Sequence, residues 1–315
     1  MPSNLSPRTT QSRLHAISLQ LPTMASSPEP QTLTYKTIGS LDILLDLYLP
    51  DNAKNVPVLL WFHGGGLLQG HRDSLPPHLR NAVQKYNIAL ITADYRLAPQ
   101  VGVADIYEDV RDCVAFIRTK LSSHVGEDVL DTNRLAVSGG SAGGYLALLA
   151  GLYVEPKPRV ILPIYPITDP LGTFFTTSKL HPAGGAHTDV EPLASFLDVK
   201  AEVVANNKRE SARNKMYFHM MEGANLASLL HFTPETQDHW RIAKQISTHG
   251  LPPSYIVSGD SDLAVGVEQS DEVVGVMVGL GMEVEYERLK GEDHLFDHDK
   301  KFEMEAMYKF MLKYL

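Results

Sequence analysis

The chain has 315 residues, with 28 Lys and Arg against 37 Asp and Glu, a formal net charge of −9. It therefore lacks the basic clusters that nucleic-acid phosphates require. Apolar residues make up 43% of it, enough for a full core in one large domain with an insertion or in two domains, yet no apolar run approaches the ~20 residues of a membrane span. A single cysteine, Cys113, rules out an internal disulfide or a cysteine-rich metal site.

Residues 1–30 are rich in Ser, Thr and Pro and have no acidic residue before Glu29, so a disordered extension is expected there. Arg8 and Arg13 among many hydroxyls leave organelle targeting open beside a cytoplasmic expectation, no apolar stretch suits a secretory signal, and Met24 offers an alternative start. Short β-rich runs alternating with helical stretches follow, as in a mostly parallel sheet with crossover helices. Eight strands are expected, at 32–38, 43–49, 58–62, 89–93, 134–137, 160–164, 255–258 and 284–289. Helices are expected at 105–121, 142–151, 267–279 and 300–314, and no internal repeat is present.

The third strand runs into His63-Gly64-Gly65-Gly66-Leu67. Backbone free of side chains lets N–H groups point at a developing negative charge, so Gly64 and Gly65 are candidate oxyanion donors, although a plain glycine turn has the same look. His63 reads as a brace of that loop rather than an acid or base. On helix 105–121, Cys113 shares the stripe Val110, Val114 and Ile117, which makes it core packing.

The most informative stretch is Leu135-Ala136-Val137-Ser138-Gly139-Gly140-Ser141-Ala142-Gly143-Gly144, an apolar strand turning sharply into a helix with serine at the apex. This is the G-x-S-x-G pattern of a nucleophile elbow, in which a weakly nucleophilic hydroxyl stands clear of the backbone where a histidine can take its proton. The N–H of Ala142 would be a third oxyanion donor. Taken alone, such a turn also suits phosphate binding or tight packing.

Residues 170–250 are too long for an ordinary connection and contain no clear strand, so they are expected to be a separate, mostly helical insertion. Its most apolar run, Met216-Tyr217-Phe218-His219-Met220-Met221, is a candidate pocket lining or else the insertion's own packing face, and Lys208-Arg209-Glu210 reads as a solvated face. Leu67, Met216, Phe218 and Met220 are the substrate-binding candidates.

After the strand at 255–258 comes Gly259-Asp260-Ser261-Asp262-Leu263. Strand-end turns of this kind commonly read G-x-x-D, which selects Asp262 as the carboxylate that orients a histidine and leaves Asp260 as a turn former. The last strand leads to Gly291-Glu292-Asp293-His294, completing the chain order Ser141, Asp262, His294. His298 follows one turn later, and a His294–His298 metal pair lacks an evident third ligand. Gly64, Ser141, Asp262 and His294 all fall just past strand ends, where doubly wound sheets bind ligands.

Through His63-Gly64-Gly65-Gly66, Asp94-Tyr95-Arg96-Leu97-Ala98-Pro99, Gly140-Ser141-Ala142-Gly143-Gly144 and Asp293-His294, the chain resembles the α/β-hydrolase superfamily, and within it the hormone-sensitive-lipase-like esterases, over roughly residues 35 to 315. It departs from them at Gly140, where Asp is usual, and at Asp260-Ser261-Asp262-Leu263, where D-P-L is usual. The resemblance implies a core of 31–169 and 251–315, with 170–250 as a cap over the active site. It also implies a serine carboxylesterase that uses Ser141, Asp262 and His294, acts on a small-molecule ester and needs no metal or organic cofactor. Acyl transfer, lyase or condensation chemistry at the same site, and a non-catalytic receptor, are the alternatives. A homodimer is left open.

Overall fold

The computed structural model describes residues 29–179 and 188–315; the extension expected at 1–30 lies outside them but for its last two residues. β1 (Gln31–Ile38) and β2 (Leu41–Tyr48) form an antiparallel hairpin. It continues into β3 (Val56–Phe62), β4 (Ala89–Ala93), β5 (Leu130–Gly140), β6 (Val160–Ile164), β7 (Ser254–Gly259) and β8 (Val284–Leu289). The order across the sheet is β1-β2-β4-β3-β5-β6-β7-β8, and β2 joins β4 antiparallel while every later pairing is parallel.

Each residue of β3, β4 and β6 is buried, which explains their almost wholly apolar sequences: helices cover both faces. Val58, Leu60 and Phe62 of β3 enter one core layer with the helices Val103–Thr119 and Ala142–Tyr153. Leu59 and Trp61 enter the other, with Pro77–Lys85 and Glu305–Leu312. Cys113 packs with Val110, Val114 and Ile117 in the first layer, where burial pushes its thiol pKa up, so it is core. The register aligns Phe62 with Ala93 and Gly139, Gly140 with Ile164, and Gly259 with Leu289, so the loops after β3, β5, β6, β7 and β8 leave along one edge.

All eight expected strands form. The helix Pro77–Lys85 was not expected; its signals are Pro77 at the first turn and the buried stripe His78, Leu79, Ala82 and Val83. The last helix begins at Glu305 rather than near residue 300, because Met304 sits in the left-handed region at φ 51. Between 170 and 250 the described residues contain no strand, as expected, but the helix comes in short pieces and only Met216–Gly223 and Ile242–His249 reach eight residues. Polar runs such as 206–211 offer no apolar stripe to nucleate more. No helix of the described residues is long and apolar enough to cross a membrane.

Candidate active site

Ser141 sits between β5 and the helix Ala142–Tyr153 at φ 58 and ψ −119, a conformation that side chains rarely adopt. Neighbouring backbone holds it there: its N–H donates to Ile164 O at 2.9 Å, and its carbonyl accepts from Tyr145 at 3.1 Å and Ile167 at 3.2 Å. The flanking glycines are sterically required. A Cβ on Gly139 would lie 2.3 Å from Gly143 backbone, and one on Gly143 would lie 2.0 Å from Phe62 O. The helix that follows is buried from Ala142 to Leu152, which fixes the serine on a rigid axis through the core.

The glycine loop after β3 is pressed against this turn. A Cβ on Gly64 would meet Gly140 O at 3.0 Å and Ser141 Cβ at 3.1 Å, so only glycine brings the loop so close. Gly65 and Gly66 take positive φ of 104 and 68. Among the described residues the N–H groups of Gly64, Gly65 and Ala142 have no acceptor, which leaves them available to a ligand. His63 is buried beneath the loop, stacked on Tyr95 at 4.3 Å with Nδ1–H donating to Gly64 O at 2.8 Å, and burial lowers its pKa to about 4. It is a neutral brace.

Asp262 is joined to His294: Nδ1–H donates to Asp262 Oδ2 at 2.7 Å, while Asp262 Oδ1 accepts from the N–H of Ala264 at 2.8 Å and of Val265 at 2.7 Å. Those two backbone donors aim the carboxylate, and the carboxylate sets the imidazole tautomer with Nε2 unprotonated. The two loops are also sewn together, since Asp293 Oδ1 accepts from Leu263 N–H at 2.9 Å and from His294 N–H at 2.7 Å. Asp260, by contrast, is exposed and accepts from Gly291 N–H at 2.6 Å, a turn contact.

Ser141 and His294 face one cavity of about 420 Å³, together with Gly64 and Gly65. Phe218 lines it, as does Tyr217, whose hydroxyl donates to Ala264 O at 2.6 Å. Leu67, Met216 and Met220 do not. They are 1%, 0% and 0% exposed and their side chains belong to the core, because the helix Met216–Gly223 turns its methionine face inward to pack. His298 borders the cavity; its N–H donates to Leu295 O at 3.0 Å, and its ring makes no hydrogen bond among the described residues. Among the described residues no cluster of three or more metal-ligating side chains exists.

Sequence reading missed Tyr165. At the end of β6, held at φ 36 with its N–H on Val257 O at 2.6 Å, it lays its ring 4.5 Å from that of His294. Its hydroxyl donates to buried Asp297, whose other oxygen faces His78 Nε2 at 3.3 Å. A Cβ on Gly140 would be 3.0 Å from this ring, so Tyr165 fills the space a longer residue before the serine would need. Its place just past a strand end was the available signal.

Comparison with known proteins agrees with the fold. The chain is 23% identical over 308 residues to the non-reducing polyketide synthase Preu6 of Preussia isomera, covering 86% of this chain but only 14% of that protein. The chain thus spans about one-seventh of the length of the curated relatives it matches. Among solved structures, an α/β-hydrolase superfamily protein from Enterococcus faecalis superposes with a TM-score of 0.69 at 17% identity, covering 91% of this chain and 97% of that one. Thermogutta terrifontis esterase 2 phosphonylated by sarin gives 0.61 at 19%, covering 91% and 93%. These likenesses establish the α/β-hydrolase fold, and since the BD-FAE family model matches residues 45–277, the chain belongs to the BD-FAE family.

Proposed function

We propose that the protein hydrolyses a carboxylic ester through an acyl-enzyme on Ser141. The observation that carries this reading is His294, paired with Asp262 at 2.7 Å and facing the same cavity as a serine held on a strained strand-to-helix turn. His294 Nε2 takes the Ser141 proton as Oγ attacks the ester carbonyl, and the N–H groups of Gly64, Gly65 and Ala142 donate to the resulting oxyanion. Collapse breaks the ester C–O bond, and His294 returns its proton to the departing alcohol. Water, deprotonated by the same imidazole, then attacks the acyl carbonyl and frees the acid and the serine. Residues 170–250 act as a cap that shapes the acyl or alcohol pocket through Tyr217 and Phe218.

A second reading keeps the acyl-enzyme and replaces water by another nucleophile, giving acyl transfer or condensation on a biosynthetic intermediate. The polyketide synthase names of the relatives favour it. The receptor reading is disfavoured by the intact Ser141, Asp262 and His294. Turnover of p-nitrophenyl esters of increasing acyl length, run beside fluorophosphonate labelling, tests the proposal. Turnover with labelling at Ser141 supports hydrolysis, labelling without turnover supports transfer or condensation, and a folded sample showing neither overturns both.

A further inference from the structure

Two leucines that line the Ser141 cavity, Leu263 and Leu295, contribute little to folding. They are 54% and 50% exposed, and neither is part of either core layer. They directly follow Asp262 and His294 in the chain. The bond from Leu263 N–H to Asp293 Oδ1 at 2.9 Å holds the two loops that carry them together.

Leu295 is unfavourable in a second way. It sits in the left-handed region at φ 60 and ψ 23, a conformation that glycine or asparagine adopts readily and that costs a leucine free energy. The other bulky apolar residues at positive φ are Leu67, Tyr165 and Met304. Leu67 and Tyr165 are 1% and 2% exposed, and Met304 packs against the second core layer, so burial offsets their strain. Leu295 is the one large apolar side chain among the described residues that is both left-handed and exposed. Strain kept beside a catalytic histidine without a return in packing points to a ligand. The same cavity is walled by Tyr217 and Phe218, so a ligand covering the two leucines is continuous with whatever occupies the site.

We propose that Leu263 and Leu295 form an apolar rim that grips an extended hydrocarbon chain of the substrate, in its acyl or its alcohol portion. The bound chain covers leucine surface that the free protein leaves in water, and that burial offsets the strain at Leu295. An acetyl or ethyl group is too small to supply such a chain. The inference rests on the ester-hydrolase reading and narrows its substrate class.

The test measures kcat/KM along two series: p-nitrophenyl acetate to octanoate, which lengthens the acyl portion, and ethyl to octyl acetate, which lengthens the alcohol. Wild type, Leu263→Ser and Leu295→Gly are compared, with Leu280→Ser as control, since Leu280 is 47% exposed but lies at the end of the helix Glu268–Gly279 and does not line the cavity. A methylene laid on apolar surface is worth about fourfold at most. Wild type is therefore expected to favour the longest member of one series over its shortest by about tenfold or more. Leu263→Ser and Leu295→Gly are expected to cut that ratio by about threefold or more, and Leu280→Ser to keep it; the series that responds identifies the portion gripped. Leu295→Gly is also expected to hold or raise Tm, because glycine accepts φ 60. A Tm lowered by several degrees makes Leu295 a packing residue of the fold and overturns the proposal, as do flat wild-type series or ratios that both variants leave intact. If no ester is turned over, affinities of p-nitrophenyl octanoate and acetate for Ser141→Ala, with and without Leu295→Gly, separate the two readings. A preference for the longer chain that is lost with Leu295 retains the rim and removes the hydrolase reading, whereas equal affinities overturn the rim as well.

Discussion

Replacing Gly143 by alanine tests whether the elbow is shaped by steric necessity. The new Cβ would stand 2.0 Å from Phe62 O, 2.7 Å from Phe62 C and 2.8 Å from His63 O, against ordinary contacts of 3.4–4 Å, so backbone must retreat by over about 1 Å. Phe62 is not free to do so, being paired on one side with Ala93 and on the other with Gly139. Overpacking of this kind costs about 1–3 kcal/mol and sometimes more, and contacts made wholly with backbone place Gly143→Ala at about 3 kcal/mol or above. With an unfolding entropy of about 0.7 kcal/mol/K for 315 residues, Tm should fall by about 4 °C or more. Any shift of His63 carries Gly64 and Gly65 with it, and misplacement by ~1 Å costs on the order of 100-fold in rate. The control is Gly275→Ala in the helix Glu268–Gly279, where a Cβ meets nothing within 4 Å; it should stabilise by about 0.5–1 kcal/mol and leave the rate alone. Thermal and urea unfolding with kcat/KM on one short ester decide the matter. A Gly143→Ala protein within 1 kcal/mol and tenfold of wild type would refute the reasoning.

Ser141→Ala should lower kcat by about 10⁴-fold or more and abolish fluorophosphonate labelling; Ser141→Gly should do the same while gaining about 1 kcal/mol, because φ 58 no longer strains a side chain. Asp262→Asn should lower kcat by about 10⁴-fold through the wrong imidazole tautomer, whereas Asp260→Asn should leave kcat near wild type; the reverse ranking transfers the role. His63 takes up its proton near pH 6.5 when unfolded but only near pH 4 when folded, so stability is full above pH 6.5 and should fall by about 3 kcal/mol as pH drops to 4. Urea titrations of wild type and His63→Gln should show this slope only in the former. Met216→Ala should cost about 2–5 kcal/mol in the core, while Phe218→Ala should move the preferred acyl length with smaller loss of stability, a contrast read from unfolding curves and an ester series.

Where one physical rule dominates, the sequence was a sufficient guide. Period-2 and continuous apolar runs located all eight strands, and glycines 64, 139 and 143 stand where a Cβ would come within 3.0 Å of neighbouring backbone. The pairing of Asp262 with His294 followed from chain order and turn chemistry. Side-chain direction was less legible. Met216, Phe218 and Met220 look alike as a run, and only packing of a short helix decides that Phe218 meets the cavity while the methionines are buried. Tyr165 escaped notice because its position depends on Val257, Asp297 and Gly140, partners remote from it in the chain.

The segment 204–217 grips the loop that follows β3 at several points. Gly70 N–H donates to Asn207 Oδ1 at 2.7 Å and Gly70 O accepts from Asn207 N–H at 3.0 Å. The Arg213 guanidinium donates to Leu68 O at 2.7 Å and Ala98 O at 2.8 Å, and Tyr217 N–H donates to Gln69 Oε1 at 3.1 Å. The part of the insertion that borders the cavity is thus not an interchangeable lid. Transplanting a relative's insertion to change substrate choice would strip acceptors and donors from the strand-to-loop stretch that carries Gly64 and Gly65, so selectivity and rate would change together unless Asn207, Arg213 and Gln69 travelled as one unit.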